Sequence, residues 1–423
     1  MIQISTVARE VYSKIYSFGS WNYILYLLVF LVCCLLLICA YIKIRFRFWS
    51  AQPVFHIYDF QYYFWKYGII MNELPEKNCY CNFQNIEFKE INLINNVEKQ
   101  DALHLIQNHY LSNGENKFEP SRENVFPYFS SHNSPAFFSF YYENEVLTNS
   151  MNSETITRKK MVGIMTTRPL HITIFYNKSV LATFDVYYVD YLCVDKTRRK
   201  KGVAPQLIQT HDYHQRRANS KIPVSLFKRE NELTGIVPLC VYKTLTFDMK
   251  KWNKPMNFLN GEISTVECNT TNIQYLIDFL KENENQFHIC ILPELSHIIE
   301  LVKTQNIFIC FLISNDEIIS AYFFRKTCTL FDKNQENLSC FASIKSIDLN
   351  TDTFTHGFKI ALGKICEKHG EFCYLSVENI SHNYLIVDNL LVKNSVFLDN
   401  PCAYFFYNFA YPTFNPKNVL ILN

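Results

Sequence analysis

Residues 189–208 read VDYLCVDKTRRKKGVAPQLI. The stretch opens as an apolar strand, rich in β-branched and aromatic residues, that ends near Val194. A dense basic turn follows, Arg198-Arg199-Lys200-Lys201, and then Gly202. Small residues and the apolar positions Val203, Leu207 and Ile208 start a helix that runs over 203–216. A helix start leaves unpaired N–H groups at the positive end of its dipole. Glycine lets an anion approach the backbone, and Arg and Lys neutralise its charge. Strand, basic glycine turn and helix together suit a pyrophosphate. On composition alone, the same run reads equally well as a solvated charged turn. It is neither GxxxxGK[ST] nor GxGxxG, so the usual mononucleotide and dinucleotide loops are excluded.

Outward from this segment, strands and helices alternate. Met161 to Met165, His171 to Phe175 and Val186 to Val194 read as strands. In the second half, Ile307 to Ile313 and Ile318 to Phe324 read as a hairpin around Asn315-Asp316, and Thr355 to His369 as a helix ending at Gly370. The chain therefore reads as α/β (α+β), in two similar halves that divide near residue 240. There is no short-period repeat and no low-complexity linker after residue 44.

Composition narrows the function. The net charge of +2 gives no basic field for nucleic acid. The cysteines number 15, an odd count without regular spacing, and Cys79 and Cys81 are too close for the usual zinc half-site. They read as buried free thiols in a reducing compartment, with no metal and no disulfide framework. At 48% hydrophobic residues, 423 residues can bury one large or two medium cores.

Residues 24–42, ILYLLVFLVCCLLLICAYI, form an apolar run of about 28 Å as a helix, close to a hydrocarbon core. Trp21, Tyr23 and Tyr41 flank it, and Lys43, Arg45 and Arg47 follow. The expectation is a single-pass membrane anchor with everything after residue 43 on the cytosolic side. A cleaved signal peptide would want a shorter apolar core and a small-residue cleavage site.

The segment YLCVDKTRRKKGVAP, Tyr191 to Pro205, resembles the signature EINFLCVHKKLRSKRLAP of eukaryotic N-myristoyltransferases, without a gap. Three further stretches match in order. RFWSAQP at 47–53 resembles KFWxTQP, CVYKTLTFDMKK at 240–251 resembles CRYWHRSLNPRK, and the tail AYFFYNFAYPTFNPKNVLILN resembles QYYLYNW followed by VGLVLQ. The resemblance covers about residues 46–423.

It implies two tandem GNAT-like (acyl-CoA N-acyltransferase) halves behind the N-terminal transmembrane helix. Residues 1–43 would carry the anchor, 44–240 would bind myristoyl-CoA as acyl donor, and 241–423 would bind the peptide and supply the catalytic C-terminus. The implied activity is myristoyl transfer to the N-terminal glycine of protein substrates. The implied base is the α-carboxylate of Asn423, whose side chain would be incidental, with burial raising the carboxylate pKa. Backbone N–H groups of Tyr191 and Leu192 would form the oxyanion hole. Arg47, Phe48, Trp49, Cys193, Val194, Arg199, Lys200, Lys201, Gly202, Val203 and Ala204 would hold the acyl-CoA, and Thr234 and Asp399 would face the peptide.

The sequence also departs from the family. Asp195 stands where the family has His. The second signature, KFGxGDG, aligns with Asn394 to Asn400, where only Asp399 remains, and His109 to Glu115 keeps one acid of an acidic cluster. These departures leave open a relative that binds acyl-CoA or a partner without catalysis, and a GNAT acetyltransferase using acetyl-CoA.

Overall fold

The computed structural model describes residues 2–65, 67–111, 116–148, 155–230, 235–253, 263–332, 335–370 and 372–423. Helix α1 (Ile2–Arg45) contains the span Asn22–Arg45, long and apolar enough to cross a membrane. An N-terminal signal sequence meets the same length and composition criterion. The helix contacts the rest of the chain at its end. Ile42 is 5% exposed, and a side chain at Gly235 would meet its methyls at 2.9 Å.

Strand β1 (Ile86–Glu90) precedes helix α2 (Asn96–His109), whose start is fixed by a reciprocal capping box between Asn95 and Glu98. Then come β2 (Phe137–Thr148), β3 (Thr155–Tyr176), β4 (Ser179–Val194), α3 (Val203–Ala218) and β5 (Ser225–Glu230). The second half holds β6 (Cys240–Asp248), β7 (Ile263–Glu267), β8 (Ile289–Leu292), β9 (Ile307–Ser314), β10 (Glu317–Phe331) and β11 (Gln335–Lys345). Helix α4 (Thr351–His369), β12 (Tyr374–Glu378), α5 (Asn383–Leu391), β13 (Leu398–Tyr407) and β14 (Val419–Ile421) complete it.

Twelve strands run in the order β14-β8-β3-β4-β5-β13-β6-β12-β11-β10-β9-β7, with β1, β2 and Lys117–Phe118 branching from that path. A parallel strand–helix–strand crossover occurs twice, as β4–α3–β5 and as β11–α4–β12. The sheet runs on unbroken around residue 240, because β13 bridges β5 and β6. Separate apolar clusters back the two crossovers, one with Val203 and Leu207 of α3, the other with Phe354, Phe358 and Ile365 of α4.

Two elements differ from expectation. The strands at Met161–Met165 and His171–Phe175 are one strand, β3, with Pro169 inside it. On its far side β3 pairs with β2 up to Thr167 and with β8 from His171, so Pro169 falls between partners, where a missing N–H costs least. Helix α4 begins at Thr351, capped by the Asn350 side chain, four residues before the apolar pattern signals it.

Candidate active site

The parallel pairing of β4 and β5 covers only Tyr187–Val189 against Ser225–Phe227. Beyond it the strands part. Just there β4 carries a bulge: Leu192 pairs with Met165 and Val189 with Thr167, so Asp190 and Tyr191 face the single residue Thr166. A bulge of this kind bends a strand and frees part of its ladder. The fork opens into a cavity of about 610 Å³. Its walls are α3 on one side, β4 and β5 in the middle, and the segment Arg45–Trp49 across the top.

The cavity reaches both faces of the sheet. Phe227 and Arg229 line it from the face of α3, Lys228 and Tyr188 from the other. Trp49 stacks on Phe227 with centroids 5.5 Å apart, which lays the segment after α1 over the apolar part of the cavity.

The basic turn is folded by local geometry. Asp195 accepts hydrogen bonds from the Thr197 amide and hydroxyl, both 2.8 Å. Lys200 has φ +65° and Gly202 φ +84°, and the space around Gly202 is otherwise open, so the glycine answers a backbone requirement. The end of α2 clasps the turn. The Lys196 amide donates to His109 Nδ1, and Arg199 donates to the carbonyls of His109 and Val194. Arg198 pairs with Glu143 at 2.7 Å. Lys200 and Lys201 are exposed at the start of α3, and no ion pair involves either among the described residues.

The expected site residues divide. Arg47, Phe48, Trp49, Leu192 and Ala204 line the cavity. The side chains of Cys193, Val194 and Val203 pack into the core, so what they offer a ligand is backbone. Burial pushes the Cys193 thiol up to about 12, against the pull of Arg199. The Arg199 guanidinium donates to the carbonyls of Val194 and His109. The Tyr191 amide donates to Thr166 Oγ1 at 3.0 Å, which leaves Leu192 as the cavity-lining member of that pair. Asp399 is exposed on β13, paired with Lys243 at 2.6 Å and outside the cavity wall. Thr234 and residues 112–115 lie outside the described residues.

Asn423 is 5% exposed, at the end of a tail that runs parallel to β8. Its side chain is not incidental. Arg325 Nη2 donates to Oδ1 at 3.2 Å, and Nδ2 donates to the Tyr404 hydroxyl at 3.2 Å. Arg325 belongs to an ionised cluster that the sequence did not disclose. Glu378 accepts from Tyr242 at 2.6 Å and pairs with Lys228 at 3.2 Å and Arg325 at 3.9 Å. Burial works to raise the Glu378 carboxyl, but Lys228 and Arg325 hold it below its ordinary value. Burial works to lower Lys228, but Glu378 raises it, so it stays charged. A second buried pair, Arg168 Nε to Asp190 at 2.9 Å, sits behind the bulge. The only signal for these groups was a charge closing an apolar strand, as in Tyr374–Glu378 and at Arg325 after Phe323 and Phe324. Among the described residues no group of His, Cys, Asp and Glu is arranged to hold a metal.

Residues 70–240 match the family described as Myristoyl-CoA:protein N-myristoyltransferase, N-terminal domain. The chain resembles a crystal structure of Saccharomyces cerevisiae N-myristoyltransferase with bound myristoyl-CoA at TM-score 0.68 and 12% identity, covering 89% of this chain and 99% of that one. A second structure of the yeast enzyme with bound myristoyl-CoA gives TM-score 0.65 and 13% identity, covering 88% and 90%. At that identity the likeness concerns the fold alone. No curated protein matches the chain by sequence. Residues 70–240 thus resemble the N-terminal domain of the N-myristoyltransferase family, and the chain shares the fold of the yeast enzyme.

Proposed function

We propose that this chain transfers a myristoyl-class acyl group from its CoA thioester to the N-terminal glycine of proteins, at a membrane. The observation that supports this reading is the fork between β4 and β5, whose cavity is lined by Ala204 and Pro205 just after the basic turn and by Lys228, the partner of Glu378 in the buried cluster. In this reading Lys200, Lys201 and the N–H groups at the start of α3 hold the CoA phosphates. The thioester lies at the bulge, with its developing oxyanion on the Leu192 N–H. The glycine amine enters from the other face. Its pKa is near ~8, so it must lose a proton before it attacks. The α-carboxylate of Asn423 takes that proton, and Arg325 and Tyr404 fix the residue that carries it. The new N–C bond forms as the C–S bond breaks, and CoA leaves as the thiol.

Helix α1 would anchor the enzyme, with Ile42 against Gly235 keeping the cavity top near the bilayer and the catalytic body in the cytosol. Transfer of labelled myristoyl to glycine-starting peptides tests the reading directly, with an alanine-starting peptide as the negative. One observation favours a second reading, acyl-CoA binding without turnover. The Tyr191 amide, an expected oxyanion donor, is already bonded to Thr166. Saturable myristoyl-CoA binding with no transfer to any glycine peptide would select it.

A further inference from the structure

Residues 57–67, a short way past helix α1, read IYDFQYYFWKY. Ile57, Phe60, Tyr63, Phe64, Trp65 and Tyr67 are exposed, Phe64 by 71% and Trp65 by 83%. Single exposed apolar residues are ordinary, but a patch of rings this dense marks a surface that something covers. The fold itself covers little of it. Within the short helix Phe60–Phe64 only Tyr62 is buried, in a cluster with Phe55, Val237 and Ala410.

The place of the patch says what the cover is. The Ile57 N–H donates to the Gly235 carbonyl at 3.1 Å, and a side chain at Gly235 would meet Ile42 at 2.9 Å. Ile42 closes the apolar run of α1. The Tyr58 hydroxyl is held above its ordinary value by burial, by Asp59 and by Cys39, and Cys39 stands about one turn inside that run. The short helix folds back on this junction, since Phe55 meets the rings of Tyr62 and Tyr63 at 5.5 and 4.7 Å. The patch therefore starts at the level of the last apolar turn of α1. In a bilayer spanned by α1, that level is the boundary between acyl chains and headgroups. Trp and Tyr settle at that boundary because each joins an apolar ring to a polar edge. The charges agree. Lys43 and Arg45 are exposed at the end of α1, where acidic headgroups would meet them. Asp59, the one acid of the segment, is turned onto His56, accepting from its amide at 2.9 Å and meeting its ring at 3.2 Å.

We propose that residues 57–67 are a second lipid contact, in which Phe60, Tyr63, Phe64 and Trp65 dip into the leaflet at the basic end of α1 and hold the rest of the chain at a fixed tilt on that bilayer. This rests on reading α1 as a membrane span. A single helix leaves the body free to swing about its end. A second contact beside it removes that freedom and keeps Arg45–Trp49, across the top of the cavity, against the headgroups.

The test reconstitutes the full chain in vesicles of phosphatidylcholine and phosphatidylserine whose acyl chains are brominated either near the headgroup or near the chain end. Tryptophan emission of the wild type minus that of Trp65→Phe isolates the Trp65 contribution. Shallow bromines cut it by about half or more and deep bromines far less, as for a ring at interfacial depth. Phe64→Asp, at an exposed position where the fold is kept, restores most of that emission, because a carboxylate is driven out of the boundary. The variant Val32→Trp carries a reporter near the middle of the apolar run, and deep bromines quench it. If Val32→Trp is quenched but Trp65 is equally bright with and without bromine, the patch faces water or another protein and the inference is overturned, while the span stands. If Val32→Trp is not quenched, the reading of α1 as a span fails first and the inference falls with it.

Discussion

Replacing Glu378 with Gln removes one charge from the centre of the buried cluster while keeping its shape. Lys228 lies 3.2 Å and Arg325 3.9 Å from its oxygens. At an effective dielectric constant of 20, the nearer pair attracts by about 5 kcal/mol before desolvation is subtracted. Glu378 is only 8% exposed at its side chain and Lys228 22%, so water screens the pair weakly. Removing one partner of a buried pair leaves the other charge uncompensated, and we expect a loss of about 3 kcal/mol in stability. The pH dependence carries the diagnosis. Because the folded Glu378 pKa is depressed, its contribution is present above about 4.3, the unfolded value, and is lost as pH falls through the folded value. Because the folded Lys228 pKa is raised, its contribution is complete below about 10.4 and is lost as pH rises through the folded value. The stability gap between wild type and Glu378→Gln is therefore widest between roughly pH 5 and 10 and closes at both ends. Denaturant titrations in detergent at a series of pH values measure it. A gap below about 1 kcal/mol, or one that does not vary with pH, would refute the assignment of a tightly coupled cluster.

Three other expectations follow from the site. Thr166→Val frees the Tyr191 amide, so single-turnover transfer rises about tenfold with acyl-CoA affinity unchanged; no rise would mean that this amide plays no part. The double change Lys200→Ala with Lys201→Ala weakens CoA binding about tenfold and flattens its salt dependence, measured by titration at several ionic strengths, whereas fold stability is kept because both lysines are exposed. Cys193, with its thiol held near 12 by burial, resists alkylation in the folded chain at pH 8 while exposed Cys79 reacts, as peptide mapping after brief labelling would show.

The strand, turn and helix at 189–208 were legible because local rules govern them: a β-branched run, a left-handed glycine and an amphipathic helix face each announce themselves within a few residues. The helix over 351–369 was legible for the same reason, apart from its first turn. The strands at Met161–Met165 and His171–Phe175 read as separate because nothing local shows that two remote strands leave a gap beside Pro169, where one continuous strand tolerates it. Cys193 and Val194 matched a signature, but as neighbours in a strand they point to opposite faces, each into its own apolar cluster, and a motif does not say which atoms it presents. The cluster of Lys228, Arg325, Glu378 and Asn423 joins residues up to 195 positions apart, and no local pattern carries such a contact. The inner wall of the cavity was equally hidden, since Asp212 looks like an ordinary polar helix residue until the packing around it buries its carboxylate.

The central claim is that a carboxylate at Asn423 receives the proton of the attacking amine. Labelled myristoyl transfer to a glycine peptide, compared between the chain ending at Asn423 and the chain extended by a few glycines beyond it, tests that claim most directly. The account predicts transfer by the first and its loss by about two orders of magnitude or more in the second, with myristoyl-CoA binding intact in both. Equal transfer by the two forms would contradict it.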